Sequence, residues 1–266
     1  LTAKAAFQGT PEAGRLTATA QGNGLAIGQP EADRLLAGNS TLAADLRLQG
    51  GRIKIDTATL QNPQLRVAAN GDITGTKRQI VLDAALANLG LLMPEFPGRL
   101  TVKGQITDDS AGYDVNLAAN GPGGIDLTTK GRLAPDFSRG DLALTGTAKA
   151  DLANAFLRPT TVSGGLGIDL RVNGPLAPAS LGGRVTLNGL RIANPQLPNS
   201  VEGLGGTVSF AGGRAVLDLK GGLNSGGTFA VTGGAGMQAP YTGDIAVALQ
   251  QLQLKDPQLY QTRLNG

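Results

Sequence analysis

The sequence predicts an all-β protein: a long antiparallel sheet that curls into an open hydrophobic groove, with one to three very short helices. Two observations predict the sheet. Apolar and polar residues alternate through almost the whole chain, which is typical of an antiparallel sheet with one dry and one wet face. Glycine is abundant, at 41 of 266 residues beside 14 prolines, and these residues interrupt the alternation as turn residues do.

About sixteen segments carry the alternation, which is enough for a large sheet. Successive side chains of a strand point to opposite faces, so the aliphatic residues of each segment share one face. We predict that this face lines the groove. The predicted lining residues are Leu46, Leu48, Ile53, Ile55, Leu100, Val102, Val115, Leu117, Ile125, Leu127, Leu142, Leu144, Ile168, Leu170, Val172, Val185, Leu187, Val208, Phe210, Leu217, Leu219, Phe229, Val231, Ile245, Val247 and Leu249.

Glycines mark two kinds of position. Gly50-Gly51 and Gly212-Gly213 each stand between two alternating segments, as in two-residue hairpin loops. Gly104, Gly146 and Gly189 fall inside strand patterns instead, where glycine permits bends and bulges. The sequence therefore predicts sharp turns at the pairs and distorted strands at the single glycines.

Helical signals are few and short. Residues 30–38 begin with proline, continue with acidic residues and end at glycine, which predicts a helix of about two turns at most. Two other short apolar pieces, 86–93 and 152–157, each stop at a proline. No apolar run approaches the ~20 residues of a membrane-spanning helix.

Two short motifs recur along the chain. The pattern apolar-x-Asx-Pro-Gln-Leu occurs at Leu60–Leu65, Ile192–Leu197 and Leu254–Leu259. Proline cannot donate to a strand ladder, so Asx-Pro predicts the end of a strand in each copy. A looser motif places Leu-Ala-Asn at 86–88 and at 152–154, each before a proline and a further strand.

A longer repeat aligns Gly131–Gly146 with Gly174–Gly189 without gaps, and seven of its 16 positions are identical. Repeats indicate a modular, extended sheet, although convergence on a glycine-rich composition is the alternative. We predict one elongated segment over residues 1–266, an excised part of a larger protein, with sub-repeats 1–85, 86–173 and 174–266.

The absent residue types exclude much chemistry. The chain has no Cys, His or Trp, which rules out the usual zinc sites and the Cys- or His-based nucleophiles. One carboxylate pair, Asp108-Asp109, precedes Ser110, Ala111 and Gly112 and is predicted to form a turn. We expect no enzymatic activity, no metal site and no cofactor.

The charged and aromatic residues point away from nucleic acids. The formal net charge is +3, but Lys and Arg are scattered singly among Asp and Glu, whereas nucleic-acid binders cluster them. Tyr113, Tyr241 and Tyr260 are predicted to pack or to lie at the rim of the sheet. We expect no nucleic-acid partner.

The apolar face must be shielded from water, because each large aliphatic side chain left exposed loses the ~1.5–3 kcal/mol of free energy that its burial would contribute. A second sheet, the coils of a β-helix, or a curled sheet lined partly by lipid could each shield it. Aromatics are 3% of the chain, whereas sandwich cores use them for volume. The lining of Leu, Ile and Val with much Ala and Gly favours the curled sheet without excluding the β-helix.

Several stretches in order resemble the TamB family of bridge-type, AsmA-like lipid carriers. They are Val172–Leu176, Leu181–Leu187, Gly212–Leu217, Asn224–Phe229 and Leu254–Gly266. No single motif is specific; their order and spacing carry the resemblance, which is clearest over residues 86–266. The chain is thereby identified as similar to a fragment near the start of the family's C-terminal domain.

The resemblance implies a β-taco fold, which is a long, curved antiparallel sheet that forms an open, U-shaped hydrophobic groove, and it implies a non-catalytic function. A hydrophobic groove would carry phospholipid acyl chains through the periplasm, from an inner-membrane anchor outside this fragment towards the outer membrane. The implied partner is a TamA-like outer-membrane barrel protein. The alternative is a periplasmic factor for the assembly of outer-membrane proteins or autotransporters, which would be clients; a β-helical adhesin is a further alternative. An edge-to-edge homodimer of the fragment is also expected, since exposed sheet edges pair readily.

Overall fold

One large antiparallel sheet dominates the computed structural model, which describes residues 2–10, 12–26, 28, 30–256 and 260–266. Its strands follow one another in sequence order from β1 to β16, so that β1 and β16 are its edges. The all-β prediction is confirmed. The strands are β1 Thr2–Thr10, β2 Ala13–Asn23, β3 Asn39–Gln49, β4 Arg52–Gln61, β5 Leu65–Asp72, β6 Arg78–Leu86, β7 Leu100–Asp108, β8 Tyr113–Gly121, β9 Ile125–Leu133, β10 Arg139–Lys149, β11 Thr161–Pro175, β12 Leu181–Ala193, β13 Val201–Ala211, β14 Arg214–Leu223, β15 Thr228–Gly236 and β16 Gly243–Gln250.

The chain divides into two compact units. Unit 1 comprises Leu1–Pro122 and Thr128–Phe137, and unit 2 comprises Gly123–Leu127 and Ser138–Gly266. Strand β9 therefore contributes to both. Each unit has its own apolar face and its own buried residues.

A separate hairpin follows β16 in unit 2. It consists of β17 (Leu252–Asp256) and β18 (Tyr260–Leu264). Leu252 is buried, the Gln253 N–H donates to the Gly226 oxygen at 3.0 Å, and the Ser225 hydroxyl donates to the Gln253 oxygen. The hairpin is thus attached to the connection between β14 and β15.

The helices are as short as predicted. Helix α1 (Pro30–Leu35) confirms the first prediction. Helix α2 (Asn154–Leu157), preceded by a 3₁₀ turn at Ala150–Ala153, confirms the piece at 152–157. The piece at 86–93 is only a 3₁₀ turn at Leu89–Leu91, because Leu86 ends strand β6. A 3₁₀ turn at Pro178–Ser180 was not predicted, since Pro-Ala-Ser carries no apolar periodicity.

The Asx-Pro motifs end strands as predicted. Strand β4 ends at Gln61 and strand β12 ends at Ala193, each one residue before the motif's asparagine. Residues 257–259 of the third copy lie outside the described residues. The two copies of the long repeat occupy equivalent connections, since one leads from β9 into β10 and the other from β11 into β12.

The single glycines within strands have two different structural roles. Gly104 has φ of 150°, and a Cβ on it would lie 2.0 Å from the Asn116 oxygen of β8. Gly189 has φ of 62°, nothing lies within 4 Å of its missing Cβ, and it falls where the register of β12 with β13 shifts between Leu187 and Leu190. The prediction of a bulge is confirmed at Gly189, whereas the register runs without a shift through Gly104 and, against β11, through Gly146; Gly104 instead permits a close backbone approach.

Five asparagines define one margin of the sheet in each unit, the margin where an even-numbered strand ends and an odd-numbered strand begins. We call it the asparagine margin; its residues are Asn62 and Asn88 in unit 1, and Asn154, Asn194 and Asn224 in unit 2. Each side-chain oxygen accepts a hydrogen bond from a main-chain N–H of the same connection, of the strand that follows it or, for Asn224, of the connection before β13. The Asn154 oxygen, for example, accepts from the Val162 N–H at 2.7 Å.

Buried apolar residues gather at this asparagine margin. In unit 2, Ala150, Val162, Leu190 and Leu204 form the buried cluster, against which residues such as Leu166 and Phe229 pack. The buried apolar residues of unit 1 are Ala85, Leu86, Leu89 and Phe96, around the connection from β6 to β7. The core of each unit therefore covers one end of its strands rather than the whole length of its sheet.

Candidate functional site

The apolar face of unit 1 is built from cross-strand rows of aliphatic side chains. One row pairs Leu46 with Ile55, and continues through Gly71 to Ile80, Ile106 and Val115. Residues paired across an antiparallel ladder point to the same face, so the row is continuous over six strands. A second row is Leu60, Val67, Ala84, Val102 and Ala119.

Unit 2 repeats this construction on its own strands. One row is Gly146, Ile168, Val185, Val208, Leu217, Gly233 and Ile245. The next is Ala148, Leu166, Leu187, Gly206, Leu219, Val231 and Val247. Glycines at 146, 206 and 233 interrupt these rows of large aliphatic residues, and each glycine leaves a shallow gap between the neighbouring side chains.

The predicted lining residues of each unit belong to its apolar face wherever the register is defined. Leu48 pairs with Ile53 in unit 1, and Leu144 pairs with Leu170 in unit 2. For β9, a Cβ on Gly146 would lie 3.0 Å from the Cα of Leu127, which places Leu127 beside the Gly146 row. The alternation therefore assigned the side-chain direction correctly at these positions.

None of these residues is itself buried, although Leu187, Leu219 and Phe229 pack against the buried cluster of unit 2. Every predicted lining residue is half-buried except Ile53, Ile245 and Val247, which are exposed by 38%, 58% and 54%. The fully buried apolar residues are others, at the asparagine margin. Within each unit, the aliphatic face is only partly covered by protein.

Sequence reasoning missed several members of the face. Ile80 and Leu82 lie on this face, and Val81 between them lies on the opposite face. Because all three residues are aliphatic, the alternation of apolar and polar residues is not visible there. Phe7 and Leu16 pair with each other among alanines and threonines, where small apolar residues weaken the contrast. Leu166 pairs with Leu187 but is flanked by glycines. These residues could have been found by aligning each segment with a neighbouring strand whose apolar face was already recognised.

The opposite face of each unit is polar and carries ion pairs between neighbouring strands. Arg47 pairs with Asp56 at 2.7 Å, Lys103 with Asp83 at 3.0 Å and Arg191 with Glu202 at 2.8 Å. The Arg191 guanidinium, hydrogen-bonded to Glu202, lowers the pKa of that carboxyl. Arg15 lowers the pKa of Asp45 in the same way.

Concavities are present on the polar face. In unit 2, one of about 600 Å³ is lined by residues that include Lys220, Ala230 and Ala248, which pair in one polar-face row. In unit 1, one of about 520 Å³ is lined by Arg47, Gln49, Arg52, Lys54 and Asp72. The depression in unit 1 is lined by charged and polar residues, whereas the lining of the one in unit 2 also includes Gly221 and Phe229, which pair on the apolar face.

The carboxylate pair Asp108-Asp109 forms a turn, as predicted. The Ser110 N–H donates to Asp108 at 3.2 Å, and the Ala111 N–H donates to Asp109 at 3.2 Å. Asp109 also forms an ion pair with Arg132, whose hydrogen bond lowers the pKa of the Asp109 carboxyl. Both carboxylates thus have structural partners within the turn and its neighbour strand.

The tyrosines lie at strand ends. Tyr113 stacks on Phe137 with ring centroids 5.1 Å apart, which confirms a packing role. Tyr241 is 70% exposed in the connection from β15 to β16, as a rim residue is. The side chain of Tyr260 lies outside the described residues.

Fold and surface together define a class: an open antiparallel β-sheet protein with an incompletely covered aliphatic face in each unit. No family model, curated protein or solved structure matches the chain. Among the described residues, no helix is long and apolar enough to cross a membrane. The same residues contain no group of three or more carboxylates that could hold a metal ion.

Proposed function

We propose that this chain is a non-catalytic segment of a lipid carrier. Phospholipid acyl chains lie on the apolar faces, and the headgroups remain in water at the uncovered side. The observation that supports this function is the incomplete burial of the aliphatic rows in both units, with the buried core gathered at the asparagine margin. A surface of this kind is what an apolar ligand covers.

The chemistry of the face suits an acyl chain. Each methylene removed from water contributes ~0.8 kcal/mol, without any requirement for direction. The rows offer methyl groups separated by glycine gaps, such as Leu187, Gly206 and Leu219, and present no charged side chain between them. Binding by partition tolerates many acyl chains, which is the property that passage along a sheet requires.

The resemblance to the TamB family supplies the cellular part of the proposal. Under it, the segment lies in the periplasm, phospholipid passes from the inner membrane towards the outer membrane, and a TamA-like barrel protein is the partner. These statements depend on the order of the sequence motifs at 172–266, and the half-covered faces agree with them.

Adjacent residues of β10 provide the test. Leu144 is half-buried and pairs with Leu170 on the apolar face, whereas Thr145 is exposed and pairs with Asp169 on the polar face. Leu144→Arg introduces a charge where acyl chains would lie, and Thr145→Arg introduces the same charge on the wet side. A long arginine stem keeps its guanidinium in water at either site, so both variants are expected to fold.

The measurement is photocrosslinking to a phosphatidylcholine that carries a diazirine in one acyl chain, with native mass spectrometry of the adduct. We expect Leu144→Arg to reduce the crosslinked fraction about tenfold or more, because several methylenes of the acyl chain would no longer be buried against the protein. We expect Thr145→Arg to leave the crosslinked fraction unchanged. Circular dichroism checks that both variants remain folded. Equal effects of the two substitutions would refute binding on the apolar face.

A further inference from the structure

The free edge of β16 already carries the first pair of a further ladder. The Leu249 N–H donates to the Gly266 oxygen at 2.8 Å, and the Gly266 N–H donates to the Leu249 oxygen at 3.2 Å. Two residues that exchange both hydrogen bonds form the hydrogen-bonded pair of an antiparallel ladder. The pair lies on the side of β16 away from β15, because β15 occupies the other side.

Within the part of the chain that the structure describes, no strand pairs with the rest of that edge. Backbone N–H and C=O groups alternate in direction along a strand, so those of Val247 and Ile245 point to the same side as those of Leu249. Residues Gly243–Ala248 are all exposed. Among the described residues, no segment forms a hydrogen bond with the main-chain groups of Val247 or Ile245 on this side.

The chain is held in position for this pairing at the asparagine margin. The Gln251 N–H donates to the Asn265 side-chain oxygen at 2.6 Å, and Leu252 is buried. Residue 251 has φ of 49°, which turns the chain out of β16. The hairpin of β17 and β18 then returns the chain so that Gly266 lies against Leu249.

We propose that the edge of β16 is a docking site for an extended polypeptide segment that runs antiparallel to it in the register set by the Leu249–Gly266 pair. The segment that fits has an apolar residue at every second position. Its apolar side chains stand opposite Val247 and Ile245 and extend the apolar face of unit 2 by one strand. This inference concerns a polypeptide partner and does not depend on lipid binding.

The side chains of β16 favour this partner over a polar strand. Val247 and Ile245 are 54% and 58% exposed, on the same face as Val231 and Gly233 of β15. Cross-strand aliphatic neighbours would cover them on one more side. Ala246 and Ala248, which alternate with them, are small and leave the other face of the pairing unobstructed.

The experiment appends a short strand to the full chain after Gly266. In one version, valines occupy the second and fourth appended positions, which the register places opposite Val247 and Ile245, with threonines between. In the control version, one serine precedes the same segment and shifts the valines to the other face. Amide hydrogen exchange at Val247 and Ile245 is measured for both versions and for the unextended chain.

We expect the in-register segment to slow exchange at both amides about tenfold or more, as the loss of an open edge implies, and the shifted segment to slow it clearly less. Slowing should not depend on protein concentration. Three results would each overturn the proposal: no slowing with the in-register segment, equal slowing with both segments, or concentration-dependent slowing in the unextended chain, which would mean that a second copy occupies the edge.

Discussion

Asn62 and Leu35 are joined across two strand connections: the Asn62 Nδ2 donates a hydrogen bond of 2.8 Å to the main-chain oxygen of Leu35. The Asn62 side-chain oxygen accepts from the Leu65 N–H at 2.6 Å within its own connection. One amide therefore shapes the turn from β4 to β5 and fastens the end of α1. In unit 2, Asn194 Nδ2 donates to the Thr160 hydroxyl at 3.0 Å in the same way.

We expect Asn62→Ala to lower the free energy of unfolding by roughly 1–3 kcal/mol, because it leaves partly buried main-chain groups without partners. Asn62→Asp keeps the acceptor for Leu65 and loses the donor to the Leu35 oxygen and the Ser40 hydroxyl, so its loss should be smaller. Urea unfolding of both variants beside the wild type measures the two losses. If Asn62→Ala and Asn62→Asp lower the free energy of unfolding by the same amount, the hydrogen bonds that the Asn62 side-chain oxygen accepts contribute nothing to stability.

The sequence predicts the strands and their faces because alternation is a local property. Leu144 and Leu170 could be placed on one face from a few neighbours each, and Asn-Pro at 62 and 194 predicted two strand ends. The partners of those asparagines could not be predicted, since Leu35 and Thr160 belong to other connections and become neighbours only when the strands pair.

Which of the aliphatic residues are buried could not be predicted from their sequence neighbours either. Leu190 is buried and Leu187, three positions earlier, is half-buried, yet both read as strand aliphatics. The difference arises from the Gly189 bulge and from the connection of α2, which covers the end of the strand. The prediction of the lining thus located a face, while the part of it that forms the core depends on tertiary packing.

Two glycines that look alike in sequence should differ in their tolerance of alanine. At Gly104, a Cβ would lie 2.0 Å from the Asn116 oxygen, so Gly104→Ala must move one strand away from the other and should cost more than about 2 kcal/mol. At Gly189, the space is open and φ is 62°, so Gly189→Ala should cost about 1–2 kcal/mol for the left-handed backbone alone. Thermal or urea unfolding gives both values. A larger loss at Gly189 than at Gly104 would contradict the close approach of β7 and β8.

The ion pairs of Arg132 make stability depend on pH in a defined direction. Arg132 contacts Asp109 and, at 2.8 Å, Asp114, and the pKa of Asp109 is lowered by the Arg132 hydrogen bond and, to a smaller degree, by that of the Ala111 N–H. A lowered carboxyl pKa contributes stability that is present above the unfolded-state pKa, about 3.9, and that is lost as pH falls through the folded-state pKa.

Arg132→Gln should therefore destabilise the protein at neutral pH and lose its effect in acid. We expect the difference in unfolding midpoint between wild type and variant to shrink as the pH is lowered below about 4. Asp109→Asn should show the same convergence, since it removes the titrating group itself. A difference that stays constant into strong acid would show that Arg132 acts through packing of its side chain.

Leucines of the core and of the half-covered face should differ in what they contribute to folding. Leu190 is 5% exposed within the buried cluster of unit 2, and Leu190→Ala should lower the free energy of unfolding by about 2–5 kcal/mol. Leu217 lies on the apolar face between Val208 and Gly233 and is half-buried, so Leu217→Ala should cost less than about 2 kcal/mol. The two substitutions remove the same atoms, so urea unfolding isolates the effect of the surroundings. Saturation with phosphatidylcholine should then widen the difference between wild type and Leu217→Ala, because a ligand stabilises the folded state by an amount that grows with the logarithm of its affinity. The same treatment should leave the difference for Leu190→Ala unchanged. A loss at Leu217 as large as that at Leu190, without lipid, would show that the face is a closed core and that no acyl chain is needed to cover it.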